Sequence, residues 1–218
     1  MSASKKYKML RSDTIIYKGI KLYRIQALKS FNDVEKGDLG GYIQNHKNLN
    51  HDGNCWVYDS AKVFNEALVE DNAEIHNQAT IYGSALIADD AKIFDNASVF
   101  KLAKVFNDAR IYNNVKIYGH AIICDYANIY DNAEIFNGAM VYGNAVVADN
   151  AKVCHSAKVR HYAIVHDNAI ISNNADVHGM ADIAHNAQID SNRKYITIGN
   201  VGSRNDNITF YLSDNEIY

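Results

Sequence analysis

From Val57 to Ile189 every sixth residue is valine or isoleucine, and from Ala61 to Ala187 the residue two places before each of them is alanine, with Val115 the single exception. The pattern runs through 22 hexads without an insertion or deletion. A period of six cannot be kept on one side of a helix that turns every 3.6 residues. Alternation of Ala and Val/Ile with variable residues suits a strand, whose successive side chains point to opposite sides. Each hexad therefore reads as a short strand with Ala and Val/Ile inward, followed by a two-residue corner. The corners are rich in Asn, Asp and Gly, as at Asp71-Asn72, Asp95-Asn96 and Gly83-Ser84. These residues tolerate positive φ and bond locally to the backbone. Twenty-six asparagines and no proline fit a chain that turns this often.

Residues 57 to 189 resemble the hexapeptide-repeat proteins, in which an aliphatic residue and a small residue four places later wind a left-handed parallel β-helix. The resemblance implies an all-β fold with three hexads per triangular coil. Twenty-two hexads then make about seven coils, a prism roughly 34 Å long at ~4.8 Å per coil. Positions 18 apart stack, so the outward residues sort onto three walls. The first carries Phe64, Tyr82, Phe100, Tyr118 and Phe136, and the second Tyr58, His76, Phe94, Tyr112 and Tyr130. The third is apolar, with Leu68, Leu86, Phe106, Ile122, Met140 and Tyr142. An apolar outer wall of this kind marks an interface. The expectation is a homo-oligomer through the third wall, a trimer by resemblance, with the two aromatic rows available to a protein partner.

The expected organisation is a cap and lead-in over 1–56, the β-helix over 57–192 and closing strands over 193–218. Tyr7 to Leu10, a turn near Arg11-Ser12-Asp13, Ile15 to Tyr17 and Leu22 to Leu28 read as a hairpin that covers the first coil's open edge. Phe31-Asn-Asp-Val-Glu-Lys-Gly-Asp-Leu-Gly-Gly-Tyr-Ile43 and Gly53-Asn-Cys-Trp-Val-Tyr-Asp59 resemble the lead-in of uncharacterised bacterial and phage β-helix proteins. Ile198-Gly-Asn-Val-Gly-Ser-Arg204 with Thr209-Phe-Tyr211 resembles the opening of a carboxy-terminal domain in phage members of that group. A strand starts at Ile217-Tyr218, so a further domain is expected beyond the last residue.

Charge is unevenly spread. Residues 1–30 hold eight lysines and arginines against one aspartate, a net +7, which leaves −10 for the rest of a chain whose total is −3. The basic hairpin offers contacts to phosphate, but on an acidic body no nucleic-acid site is expected. Three cysteines without a C-x-x-C pair fit neither a disulfide framework nor a thiolate zinc site. With no signal-peptide pattern and no apolar run of about 18 residues, a cytoplasmic location is expected.

Enzymes that resemble this coil transfer acyl groups from coenzyme A, using a histidine as general base between subunits. His120, beside Gly119, is the best candidate base and His161 the second. Such enzymes interrupt the coil with a loop, and this chain does not. His161 and His166 resemble zinc ligands of the γ-class carbonic anhydrases, but Asp125 stands where the third imidazole belongs. No metal or cofactor is therefore expected. Asp59, Asn77, Asp95, Asn113, Asp131, Asp149 and Asp167 form one corner column, read as turn capping. The expected function is a non-enzymatic binding scaffold, a phage-encoded modulator of a host protein by resemblance; the alternative is a coenzyme A-dependent acyltransferase.

Overall fold

The computed structural model describes residues 5–201, 206–213 and 216–217. Its body is a parallel β-solenoid. After β1 (Tyr7–Tyr17), β2 (Ile20–Ala27) and β3 (Leu39–Ile43) come 23 two-residue rungs, β4 to β26, from Trp56–Val57 to Gln188–Ile189. The rungs fall into three parallel sheets in which each strand pairs with the one three places on, as Lys92–Ile93 pairs with Arg110–Ile111. Every inward Val and Ile of the repeat is fully buried, and every inward Ala is at most 1% exposed. Alanine fits there because it stands at the strand's start, where two walls converge. The inward and outward registers read from the hexads are those of the fold.

The corners explain the polar half of the repeat. At all 22 first-corner positions from Asp59 to His185 φ is positive: 18 are non-glycine residues at +49° to +63°, and four are glycines. Asn, Asp and Gly visit this left-handed region at least cost, and histidine follows them. His155, His161 and His185 thus occupy turn positions held elsewhere by Asn, Asp or Gly and once by Lys101. The Asp and Asn side chains of this column also tie coils together. The Asn77 N–H donates to Asp59 Oδ2 at 2.9 Å, Asp95 N–H to Asn77 Oδ1 at 3.1 Å, and Asn113 N–H to Asp95 Oδ2 at 2.9 Å. At the next position Asn96, Asn114, Asn132, Asn150, Asn168 and Asn186 form an amide ladder with 3.2–3.3 Å steps.

The solenoid has about eight turns, one more than the uninterrupted repeat predicts. Ile43 pairs with Val63 and Leu49 bridges Val69, so the lead-in is itself a coil, wound with 20 residues instead of 18. Two extra residues between Leu49 and Val57 hide it from a strict six-residue count. Gly40 and Gly41 let β3 lie flush on the coil beneath: a Cβ would stand 2.6 Å from the Val57 carbonyl oxygen at Gly40 and 2.5 Å from that of Ala61 at Gly41.

The amino-terminal hairpin is present, with its turn displaced. β1 runs unbroken through Arg11-Ser12-Asp13, where the pairing slips from Leu10↔Arg24 to Thr14↔Tyr23, a bulge that leaves three residues unpaired. The turn is Lys18-Gly19, at φ +48° and +77°, the two positive values that a two-residue hairpin turn demands. Polar residues at 11–13 imitate a turn in sequence, whereas a bulge accommodates them without reversing the chain. At the other end, β27 (Tyr195–Val201), β28 (Asp206–Ser213) and β29 (Glu216–Ile217) form a small antiparallel sheet. It closes the last coil through side chains: Thr209 Oγ1 accepts the Asp182 N–H at 3.1 Å, and Tyr195 Oη accepts that of His178 at 3.1 Å. Gly202 to Arg204 and Tyr218, named in the closing motifs, lie outside the described residues. Among the described residues no helix is long and apolar enough to cross a membrane.

Candidate functional site

The aromatic rows are continuous stacks. On the first wall the Phe64, Tyr82, Phe100, Tyr118 and Phe136 rings lie 4.8–5.1 Å apart and within 11° of parallel. On the second, Tyr58, His76, Phe94 and Tyr112 stack at 4.1–5.2 Å, with Tyr130 continuing the column half-buried. Register alone produces this, because parallel in-line pairing sets every outward residue above its counterpart 18 residues on. Each such contact contributes about 0.5–1.5 kcal/mol beyond area burial, so the rows also stiffen the wall.

The rows are not equally open. The hairpin tip folds over the top of the first: Tyr17 packs edge-on against Phe64 at 5.8 Å, and the Lys18 ammonium sits 4.3 Å from the Tyr82 ring centroid. Phe64 is left 2% exposed and joins Leu22 and Tyr42 in a small core of the cap. It is a packing residue and not part of an open platform. Tyr58 is held by the lead-in, donating to Asp33 Oδ1 at 2.7 Å, and burial with this carboxylate raises its pKa well above the ordinary phenol. Tyr82 packs against the same cap cluster, so the stretch clear of the hairpin is Phe100 to Phe136 on one wall and His76 to Tyr130 on the other.

On the third wall Leu68, Leu86, Lys104, Ile122, Met140 and Lys158 form one pairing column, with Phe106, Cys124 and Tyr142 in the column beside it. The apolar members are half-buried in the single chain. Burial pushes the Cys124 thiol up to about 11. Thiolate is the reactive form, so at about pH 8 Cys124 should react with an aromatic disulfide reagent far more slowly than an exposed cysteine. Stopped-flow absorbance measures it, and a rate equal to that of a free thiol would contradict the burial.

Among the described residues neither candidate base meets a carboxylate that could orient it. His120 is an exposed second-corner residue whose backbone N–H donates to the Asn137 carbonyl at 2.5 Å. Among the described residues no carboxylate or hydroxyl is bonded to its ring. His161 lies on a different corner, near Arg160, its Nε2 3.3 Å from Nη1. His166 faces Asp182, Asp167 and Asp149 at 3.0, 3.4 and 3.9 Å. Two of these carboxylates already cap turns, Asp149 accepting the Asp167 N–H and Asp167 that of His185. The turn-capping ladder runs through the same column of acids.

The capped end holds two features that the repeat does not announce. Lys6 is fully buried, its ammonium donating to the Cys55 carbonyl at 2.9 Å and lying 3.3 Å from the Cys55 sulfur. Outside it a cavity of about 630 Å3 opens between the hairpin and the 3-10 turn His46–Asn48, with Lys5, Lys8, Arg11, Lys21, Tyr23 and His46 on its lining. The net +7 of the first 30 residues was the available signal for it. The displaced hairpin turn concealed how those charges converge.

No known family profile matches the chain. Over 56 residues, 25% of its length, it is 41% identical to a protein of Escherichia coli (strain K12) described as the uncharacterized acetyltransferase YdcK. That stretch spans 17% of the YdcK protein, well under two thirds of its length.

Proposed function

We propose that the chain is a rigid, non-enzymatic scaffold that associates with copies of itself through the third wall and offers the open aromatic rows to a protein partner. The observation that carries this reading is the column of Leu68, Leu86, Ile122 and Met140, interrupted by Lys104, on an outer wall of a solenoid whose own core is complete without it. Burying such a column contributes roughly 25 cal/mol for each Å2 of apolar surface removed from water. By resemblance the assembly is a trimer, and by resemblance to phage β-helix proteins its partner is a host protein that it modulates. Light scattering at micromolar concentration should give a multiple of the monomer mass, and Leu86→Glu combined with Ile122→Glu should return the monomer with its melting temperature little changed. A monomeric wild-type chain sinks the proposal.

A second reading is favoured by the likeness to a protein described as an acetyltransferase. In it His120 is the general base, and the groove around it is completed by a neighbouring subunit. Fold alone does not choose between the two, since one solenoid hosts several functions.

A further inference from the structure

We propose that the cavity at the capped end is a binding site for a small phosphorylated molecule, with the charge and size of a nucleoside diphosphate. At about 630 Å3 the cavity lies within the range of small-molecule sites. Four cations reach it from separate pieces of chain: Lys5 ahead of β1, Lys8 and Arg11 from β1, and Lys21 from β2. Arg11 opens the bulge that breaks the β1–β2 pairing, the device by which a strand re-aims a side chain beside a site.

The lining contains no carboxylate, and among the described residues none of the four cations forms an ion pair. On the solenoid walls Lys92, Lys116 and Arg160 each bind an acid within 3.3 Å, whereas Lys104, Lys152 and Lys158 form no ion pair among the described residues but stand singly on their strands. Four positive charges without a paired acid thus converge on one concave place, while the residues after the first 30 carry a net −10. His46, on the same lining, has its pKa lowered chiefly by burial and to a lesser extent by Lys5. Neutral donors complete the set. Gln44 Oε1 takes the Asn65 N–H at 2.7 Å, which leaves the Gln44 amide NH2 without a partner among the described residues. Tyr23 adds a half-buried ring with the Lys21 ammonium 5.4 Å from its centroid, so a base that stacks there lies beside a cation. A cavity of this volume suits a compact ligand over a polynucleotide.

Isothermal titration calorimetry of the full chain with ADP, and separately with inorganic pyrophosphate, tests this. Both should bind saturably, ADP more tightly through Tyr23. Combining Arg11→Glu with Lys21→Glu should weaken ADP binding by at least about tenfold, since each removes a charge-assisted hydrogen bond. The same charge change made by Lys36→Glu with Lys152→Glu, outside the cavity, should leave it unaltered. Circular dichroism melts confirm that both variants are folded. The proposal is overturned by no saturable heat with either ligand, by equal weakening in the control, or by a single-stranded oligonucleotide binding more tightly than ADP.

Discussion

Replacing Ala109 with aspartate should cost more than about 4 kcal/mol, while the same change at its neighbour Arg110 should stay within about ±0.5 kcal/mol. Ala109 is fully buried, and its backbone carbonyl accepts the Lys92 N–H at 3.0 Å, so its place is fixed between Ala91 above and Ala127 below. A carboxylate there has no partner, and its added volume must force two coils apart; desolvation and overpacking act together. Arg110 is exposed, its outward neighbours in register being Lys92 and Asn128. A solenoid coil contacts only the coils beside it, so a break in mid-stack uncouples the two halves. Val115→Ala, which restores the repeat's own residue, should cost only about 1 kcal/mol for the cavity it leaves. Thermal melts of the three variants decide the matter; an Ala109→Asp variant that melts like wild type, with Arg110→Asp unfolded, would exchange inside for outside.

The second large effect is expected at Lys6. Its ammonium is buried and held by the carbonyls of Cys55, Gly53 and Asp52 at 2.9, 3.3 and 3.4 Å, with the Phe31 ring 5.2 Å away. Lys6→Met fills the space but strands these acceptors, at about 1–3 kcal/mol for each buried one left unpaired. The cap should loosen first. Burial lowers the Lys6 pKa below the 10.5 of the free side chain. Between the lowered folded value and 10.5 the unfolded chain binds more protons, so stability from Lys6 grows as pH rises and is lost as pH falls through the folded value. The melting temperature of wild type should therefore gain on that of Lys6→Met as pH rises toward 10.5. A constant or shrinking difference would mean that the ammonium is solvated.

What could be read in advance follows from where the physics is periodic. Val/Ile and Ala at six-residue spacing determine the walls, their stacking and which residues face out, because one register repeats without error from Val57 to Ile189. The coil formed by Ile43 and Leu49 obeys the same chemistry, but two added residues break its count. Phe64 has the sequence signature of its open neighbours; only the fold of the Lys18-Gly19 tip onto it makes it a core residue. Lys6 against Cys55 joins residues 49 apart, and the cavity gathers charges from separate segments. Such long-range placements have no local pattern to announce them. Among the histidines, position gives way to conformation: His155, His161 and His185 stand where a turn needs positive φ.

The functional claim is that the walls bind and His120 does not catalyse. Titration of the assembled wild-type protein with acetyl-coenzyme A, alongside His120→Ala and the Arg11→Glu/Lys21→Glu pair, tests it most directly. Because acetyl-coenzyme A carries phosphates, the cavity at the capped end predicts that any binding is lost in the Arg11→Glu/Lys21→Glu protein, and the scaffold reading predicts that it is untouched by His120→Ala, with no acetyl transfer in either background. Binding or turnover abolished by His120→Ala and preserved in the Arg11→Glu/Lys21→Glu protein would contradict it and establish an acyltransferase.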